Sequence, residues 1–245
     1  MSSERLLVIL PAKDEQGRIG AVLDAVRRVL PNADRVVVDD GSDDATVAEA
    51  ARCGASVLSH AVNMGYGASL ETGYRYAVRQ GYGLVAQMDA DGQHLAEELP
   101  VLLEAVKRGD VDIAIGARHG AGLRGSATRR AGQLFFSTLL LACTRRWFGD
   151  PTSGFQALGP RAVQFFSSGV FPCDYPDADV LLMAHLAGLR IREYPVRMRP
   201  RAGGRSMHAG LRPLYYGAKM VLSLFIALLN AGTWKAWRRR FGDGG

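Results

Sequence analysis

The sequence predicts an α/β fold in which a mostly parallel sheet is flanked by helices on both faces. Short β-branched runs alternate with amphipathic stretches through the first half of the chain. Continuous apolar runs are typical of strands that helices bury on both faces, so this alternation predicts a parallel sheet. With 245 residues, of which 48% are hydrophobic and 22% charged, the chain can bury a full core. This composition excludes disordered, collagen-like and coiled-coil proteins.

The predicted elements of the first half follow one another at regular spacing. Strands are expected at residues 6–10, 36–39, 56–59, 84–88 and 113–116. Amphipathic helices are expected at residues 19–30, 44–52, 68–80 and 97–108. In such sheets ligands bind beyond the carboxyl ends of the strands, so the residues that follow each strand are the candidates for function.

The second half predicts a different set of elements. A helix rich in Leu and Phe is expected at 134–143, followed by a turn at 150–155 that leads into another strand. A helix at 177–186, a strand at 191–196 and a final helix from about 209 to 230 come next. We expect two parts: a catalytic domain at 1–207, and a C-terminal amphipathic helix with a basic tail at 208–245.

The positive charge of the chain is concentrated at its C-terminal end. The net charge is +6, but residues 197–245 carry ten Lys or Arg against one acidic residue, while residues 1–196 carry 20 against 23. A basic tail favours nucleic acid, anionic lipid or an acidic substrate as partner. Because the remainder is net acidic and has no recognised nucleic-acid-binding motif, we expect no nucleic-acid partner.

The cysteines and the N-terminus both favour a cytoplasmic location. Cys53, Cys143 and Cys173 show neither zinc-ligand nor redox-pair spacing, so they predict free, buried thiols in a reducing compartment. The apolar run near the N-terminus is too short, and too soon interrupted, for a signal peptide.

Two carboxylates separated by one residue follow the strand predicted at 84–88. Asp89 and Asp91, together with the amide oxygen of Gln93, form an all-oxygen set suited to Mg²⁺ or Mn²⁺. The alternative is a solvated acidic turn, since Asp and Gly favour turns. The position after a buried strand, beside a second acidic strand end, favours the metal site.

The second strand also ends in acidic residues. A carboxylate at Asp39 or Asp40 could accept hydrogen bonds from ribose hydroxyls or a base edge, whereas Asp43 or Asp44 is expected to cap the next helix. Residues 63–69, Asn-Met-Gly-Tyr-Gly-Ala-Ser, are similar to a phosphate-binding loop but lack its third glycine. A nicotinamide-dependent oxidoreductase is a remote alternative, because the first strand ends in Pro-Ala-Lys where such an enzyme needs the Gly-rich motif.

Six motifs in one chain resemble those of the family 2 glycosyltransferases. They are Pro11-Ala-Lys-Asp-Glu, Val38-Asp-Asp-Gly-Ser, Asn63-x-Gly-x-Gly, Asp89-Ala-Asp-Gly-Gln-His, Gly116-Ala-Arg and Asp150-Pro-Thr-Ser-Gly-Phe. The resemblance covers about residues 5–210 and implies the GT-A fold. Within the family, the sequence is most similar to polyprenyl-phosphate sugar transferases, the group of dolichyl-phosphate mannose synthase.

This resemblance implies a metal-dependent, inverting hexosyltransferase that uses a UDP- or GDP-linked sugar and a polyprenyl phosphate acceptor. A soluble or polysaccharide acceptor is the alternative within the same fold. The residues implied to bind the nucleotide sugar are Pro11, Ala12, Asp14, Glu15, Asp40, Gly65, Asp89 and Ala90. Asp89, Asp91 and Gln93 are implied to hold the metal.

The acceptor phosphate is assigned to arginines by the same resemblance. These are Arg118, Arg129, Arg130, Arg201 and Arg205. Which of Arg129 and Arg130 contacts the phosphate stays open, as does the choice between Arg201 and Arg205. The implied catalytic residues are Asp91, Arg118 and Arg130, and Asp150, Asp177 and Asp179 are the remaining candidates for a base. Met207 and His208 follow Ser206 where the family commonly has Gly-x-Ser-Lys, so the contact residue of this loop stays open.

The final helix predicts contact with a membrane surface. At 100° per residue its polar side chains share one face, and the rest are apolar. The apolar part at 220–229 is about half of the ~20 residues that a spanning helix needs. Trp234, Trp237 and three consecutive arginines follow, which is typical of an interfacial helix on anionic headgroups. We expect a peripheral enzyme on the cytoplasmic face of the membrane; packing on the catalytic domain or pairing of two subunits is the alternative.

Overall fold

The computed structural model describes residues 5–118, 127–169, 171–172, 176–199 and 212–241. For residues 127–131, 212–216, 218 and 241 it describes the backbone alone. The predicted arginines Arg201 and Arg205, and Cys173, therefore lie outside the described residues, as do the side chains of Arg129 and Arg130.

The described strands form one seven-stranded sheet. They are β1 Leu6–Ala12, β2 Asp34–Asp39, β3 Ser56–Ser59, β4 Leu84–Gln87, β5 Ile113–Arg118, β6 Gln156–Leu158 and β7 Ile191–Val196. Their order is β3-β2-β1-β4-β6-β5-β7, and all neighbours are parallel except β6, which runs antiparallel to both β4 and β5. The mostly parallel sheet predicted from the sequence is confirmed.

The described helices lie on both faces of this sheet. They are α1 Ile19–Val29, α2 Thr46–Arg52, α3 Tyr66–Arg79, α4 Leu99–Lys107, α5 Ala127–Thr144, α6 Pro160–Phe166, α7 Ala178–Leu186, α8 Arg212–Leu229 and α9 Ala231–Phe241. Helix α6 was not predicted, and the tail expected after residue 230 forms the helix α9. Ala45, not Asp43 or Asp44, occupies the N-cap position of α2 and makes no side-chain cap, while Asp44 Oδ1 accepts from the Thr46 amide at 2.9 Å.

Alternating side chains of the strands feed two separate cores, one on each face of the sheet. Leu7 and Ile9 of β1 join a core formed with α3 and α5 to α9. Val8 and Leu10 join the opposite core, formed with α1 and α4. Cys53 and Cys143 are free thiols, half-buried at the edges of these cores rather than fully buried as predicted.

Helix α8 packs against the fold along one side only. Met220, Leu224 and Ala227 are buried, and the Trp234 indole of α9 donates to the Ala227 carbonyl at 3.0 Å. The opposite side exposes a set of apolar residues: Val221, Leu222, Phe225, Ile226, Leu228 and Leu229. Within the described ranges no single helix is long and apolar enough to cross a bilayer, and α8 and α9 pass such a test only as a pair bent by 56°.

Candidate active site

The acidic turn after β4 holds its three predicted metal ligands, Asp89, Asp91 and Gln93, half-buried at the carboxyl end of the sheet. Gly92 adopts a φ of +79°, a backbone conformation that favours glycine and lets the chain reverse. The backbone amide of Gln93 donates to Asp91 Oδ1 at 3.0 Å, and the side-chain Nε2 of Gln93 contacts Asp91 Oδ2. Gln93 thus orients Asp91, and the Gln93 side-chain oxygen Oε1 is the atom that could bind a cation.

Asp89 is bound from two sides. The Tyr66 hydroxyl donates to Asp89 Oδ1 at 2.8 Å, and the Asp89 backbone amide donates to His94 Nδ1 at 3.0 Å. Because Nδ1 accepts, the neutral His94 ring carries its proton on Nε2, which lies 3.7 Å from Asp89 Oδ2. The buried ring stacks on Phe155, with centroids 4.8 Å apart. Sequence reasoning gave neither Tyr66 nor His94 a role.

Burial raises the pKa of Tyr66 well above its ordinary value, and the nearby charge of Asp89 raises it further. The hydroxyl therefore stays protonated across the physiological range and can donate to the carboxylate. The charge of Asp177, the residue before α7, also raises the pKa of Tyr66.

Asp40, at the end of β2, binds the loop that precedes α3. Its Oδ1 accepts from His60 Nδ1 at 2.9 Å and from the Met64 amide at 2.8 Å, and its Oδ2 accepts from the Gly65 amide at 2.9 Å. Burial alone would raise the pKa of Asp40, but these donors outweigh it and hold the pKa below its ordinary value. The carboxylate expected to meet a nucleotide is thus already committed to protein donors.

The ends of β1 and β2 are tied together beside this loop. The Asp14 amide donates to Ser42 Oγ at 3.0 Å, and the Asp43 amide donates to Asp14 Oδ1 at 3.0 Å. Lys13 Nζ donates to the Gly41 carbonyl at 2.7 Å. Asp14 itself has a φ of 53°, uncommon for a residue other than glycine.

The other predicted residues of β1 lie next to these bonds. Pro11 and Ala12 are buried at the carboxyl end of the strand. Glu15 pairs with Arg18 at 2.5 Å, and its backbone amide donates to Thr46 Oγ1 at 2.8 Å. Together with Asp14 and Asp40, they form one rim of the cleft at the carboxyl ends of β1 and β2.

Arg118, at the end of β5, forms an ion pair with Asp150. Its Nε lies 2.9 Å from Asp150 Oδ2, and the two side chains are 24% and 3% exposed. Gln133 Nε2 of α5 donates to Asp150 Oδ1 at 3.1 Å. Glu193 of β7 accepts from the Gly149 and Asp150 amides, each at 2.8 Å, so it fixes the turn. The exposed part of Arg118 is what could meet a ligand.

Met198 and Arg199, the last described residues before the predicted arginine loop, lie beside the acidic turn. His94 pairs with Met198 in an isolated β-bridge, and the Arg199 amide donates to the Gln93 carbonyl at 2.8 Å. Arg201 therefore follows an anchored residue by two positions. Arg129 and Arg130 lie in the first turn of α5, whose later residue Gln133 contacts Asp150.

The described side chains contain no cluster of three His, Cys, Asp or Glu residues that could hold a metal without other ligands. Mg²⁺ and similar cations commonly bind through one or two carboxylates and complete their coordination with substrate phosphates and water. Asp89 and Asp91, one residue apart on one turn, fit that mode of binding.

Residues 7–168 match the family model described as Glycosyl transferase family 2. The chain belongs to this family. An uncharacterized glycosyltransferase of Mycobacterium tuberculosis is 33% identical over 216 residues, which cover 86% of this chain and 92% of that protein.

Two further relatives of this glycosyltransferase have names that state an acceptor. Polyprenol monophosphomannose synthase of Mycolicibacterium smegmatis is 36% identical over 126 residues, 49% of this chain and 47% of that protein. Undecaprenyl-phosphate mannosyltransferase of Micrococcus luteus is 36% identical over 123 residues, 48% of this chain and 50% of that protein. These matches thus span about half the length of each relative.

The fold of the glycosyltransferase is shared with a solved structure. Glucosyl-3-phosphoglycerate synthase from Mycobacterium tuberculosis, in complex with Mn²⁺ and UDP-glucose, superposes with a TM-score of 0.69 at 22% identity. The match covers 91% of this chain and 79% of that one. The predicted GT-A fold is confirmed.

Proposed function

We propose that this glycosyltransferase moves a hexose from a nucleotide-diphosphate sugar to a polyprenyl phosphate at a membrane surface, with a divalent cation and with inversion. The observation that carries the proposal is the placement of Asp89 and Asp91 on one turn at the carboxyl end of β4. The Asp40-bound loop follows β2, which β1 separates from β4, and Arg118 ends β5, which β6 separates from β4. The sugar donor and the acceptor can therefore meet at the carboxyl end of the sheet.

Asp89 and Asp91, assisted by Gln93, are the residues that would hold the cation. Bound there, Mg²⁺ or Mn²⁺ would supply positive charge that stabilises the departing diphosphate. The rim formed by Pro11, Ala12, Asp14, Glu15 and Asp40 would receive the nucleoside. Asp40 would act there mainly by holding the Gly65 loop in shape, because its oxygens accept bonds from that loop.

The acceptor phosphate needs cations more than it needs a base. A phosphate oxygen is already ionised at neutral pH, so it can attack C1 of the sugar directly. The new C1–O bond forms as the bond from C1 to the diphosphate breaks, and the electron pair leaves with the nucleoside diphosphate. In-line attack inverts the anomeric centre. Arg118, with Arg129 or Arg130 and Arg201 or Arg205, would offset the repulsion between the two anions.

The exposed face of α8 supports a lipid acceptor rather than a soluble one. Leu222, Phe225, Ile226 and Leu229 are each about half or more exposed. Lys235, Arg239 and Arg240 of α9 are exposed nearby in the chain. Apolar side chains followed by basic ones fit the boundary between acyl chains and anionic headgroups.

Flotation with anionic liposomes tests this surface. Phe225→Ser/Ile226→Ser should shift the protein from the lipid fraction to the soluble fraction. Val101→Ser on α4 is the matched control, because Val101 is 49% exposed on a helix of the opposite core. A wild-type chain that stays with the soluble fraction would contradict the membrane proposal.

Substitution of the acidic turn tests the transfer itself. Asp91→Asn keeps the size of the side chain but removes the charge, so release of sugar from the nucleotide should fall by about 100-fold or more. The melting temperature should stay near that of the wild type, since Asp91 is only half-buried. Asp24→Asn, on the exposed side of α1, is the control. Undiminished metal-dependent turnover in Asp91→Asn would remove Asp91 from the site.

A further inference from the structure

We infer that Tyr66 is a positioning residue that fixes the carboxylate of Asp89 toward the cation and diphosphate. The inference rests on the proposed function, because it takes Asp89 as a ligand of that cation. Tyr66 belongs to the Gly-rich segment 63–69 and lies 23 positions before Asp89 in the sequence.

The first observation is the hydrogen bond itself. The Tyr66 hydroxyl donates to Asp89 Oδ1 at 2.8 Å. This bond restricts rotation of the carboxylate, and it occupies one of the two lone pairs of Oδ1. Oδ2 and the second lone pair of Oδ1 are then presented in a defined direction. Partners of metal ligands commonly act in this way, by orienting the ligand and adjusting its charge.

The second observation is the space that Gly154 leaves for the hydroxyl. A Cβ atom at Gly154 would lie 2.5 Å from the Tyr66 hydroxyl oxygen and 3.4 Å from Asp89 Oδ1. Gly154 is itself held in place, because Gln87 Nε2 donates to its carbonyl at 3.0 Å. The Tyr74 hydroxyl in turn contacts Gln87 Oε1. The glycine is therefore required by the close approach of Tyr66 and not by a turn.

The third observation is that Tyr66 is the first residue of helix α3, whose start is held by hydrogen bonds. Helix α3 begins at Tyr66, directly after Gly65, whose φ is +102°. Asp40 accepts hydrogen bonds from the Met64 and Gly65 amides, so it fixes the start of this helix. Tyr66 thereby connects the nucleotide rim at Asp40 with the cation ligand at Asp89.

Manganese binding measures the positioning role without turnover. Free Mn²⁺ is followed by electron paramagnetic resonance while the full chain is titrated in the presence of UDP or GDP. Tyr66→Phe removes only the hydroxyl, and we expect it to weaken Mn²⁺ binding by about 10-fold or more. Tyr82→Phe is the matched control, because the Tyr82 hydroxyl donates to Asp34 at 2.7 Å at the opposite end of the sheet.

A double-mutant cycle with Gly154 separates positioning from general damage. Gly154→Ala should weaken Mn²⁺ binding and lower the melting temperature, because its methyl group displaces the Tyr66 hydroxyl. In Gly154→Ala/Tyr66→Phe the clash is gone, since the nearest remaining ring atom, Cζ, lies 3.7 Å from the new Cβ. The double variant should then melt close to Tyr66→Phe and bind Mn²⁺ as Tyr66→Phe does.

The outcomes distinguish this inference from the function on which it rests. Equal Mn²⁺ affinity in Tyr66→Phe, Tyr82→Phe and the wild type would overturn the role of Tyr66 and leave the proposed function intact. Additive losses in the double variant would also overturn it. A wild-type chain that binds no Mn²⁺ with either nucleotide would overturn the metal site, and the inference with it.

Discussion

Replacement of Arg118 by Ala should destabilise the fold as well as weaken use of the acceptor. Arg118 is partly exposed, whereas the carboxylate of Asp150 that it contacts is 3% exposed. Without the guanidinium, Asp150 keeps three donors: Gln133 Nε2 at 3.1 Å, the backbone amide of residue 118 at 3.4 Å and Thr152 Oγ1 at 3.5 Å. Breaking a fully buried ion pair costs about 3–5 kcal/mol. Because Arg118 is partly solvated and these three donors remain, we expect a loss of about 2 kcal/mol, the value of one hydrogen bond to a charged group.

Urea unfolding measures this loss of free energy, and thermal unfolding provides a second measure. For a chain of this size, 2 kcal/mol lowers the melting temperature by about 4–8 °C. The matched variant is Arg118→Ala/Asp150→Asn, which removes the buried charge. The amide of Gln133 can rotate to accept from the new Asn, so most of the lost stability should return.

Separate measurements of nucleotide binding and acceptor use distinguish the two substrates that Arg118 could contact. Arg118 makes none of the hydrogen bonds around Asp14 and Asp40, so Arg118→Ala should leave nucleotide affinity nearly unchanged while acceptor use falls. Wild-type stability in Arg118→Ala, or a double variant no more stable than the single one, would refute the ion-pair reasoning. Equal losses of nucleotide and acceptor binding would reject the assignment to the acceptor.

Two buried carboxylates should give opposite dependences of stability on pH. The pKa of Asp40 is below its ordinary value in the folded state, so its contribution is present above about pH 4 and is lost as the pH falls through the lowered pKa. Urea unfolding from pH 7 to pH 3 should therefore show a smaller loss of stability in Asp40→Asn than in the wild type. At pH 7 the free energy of unfolding of Asp40→Asn should be about 1–2 kcal/mol lower. Parallel pH dependences of the two proteins would contradict this reasoning. Burial raises the pKa of Asp179 above its ordinary value despite the Ser223 contact, so the ionised form is disfavoured in the folded state. As the pH rises from 4 to 7, the stability of Asp179→Asn should thus increase relative to that of the wild type. A difference in the free energy of unfolding that stays constant over this range would contradict burial as the cause.

The sequence predicted the central sheet because each buried strand consists of a continuous apolar run. The strands at 56–59 and 191–196 have their predicted bounds, and the others differ by one or two residues at an end. Helix α3 begins two residues before its predicted start, because Asp40 fixes the Gly65 amide and lets the helix begin at Tyr66. Helix α9 was not predicted because its basic and polar side chains make the segment hydrophilic on average, although Trp234 packs into the core.

The candidate site was predicted in its acidic residues but not in their partners. A carboxylate at a strand end is visible in sequence, whereas the donor that it binds comes from a distant segment. Asp40 binds residues 24 and 25 positions later, and Asp89 binds Tyr66, 23 positions earlier. Glu193, which fixes the turn at Asp150, lies 43 positions beyond it. Such pairs depend on the packing of the sheet, which local sequence patterns do not encode.

Transfer of a labelled hexose to lipid tests the central claim most directly. The full chain is incubated with a UDP- or GDP-linked hexose, Mn²⁺ and a polyprenyl phosphate in detergent, with phosphoglyceric acid as a competing soluble acceptor. We predict label in the organic phase, its loss with a chelator or in Asp91→Asn, and its recovery in the wild type when Mn²⁺ is restored. Label found only on the soluble acceptor, or lipid transfer that persists in the presence of the chelator, would contradict the account.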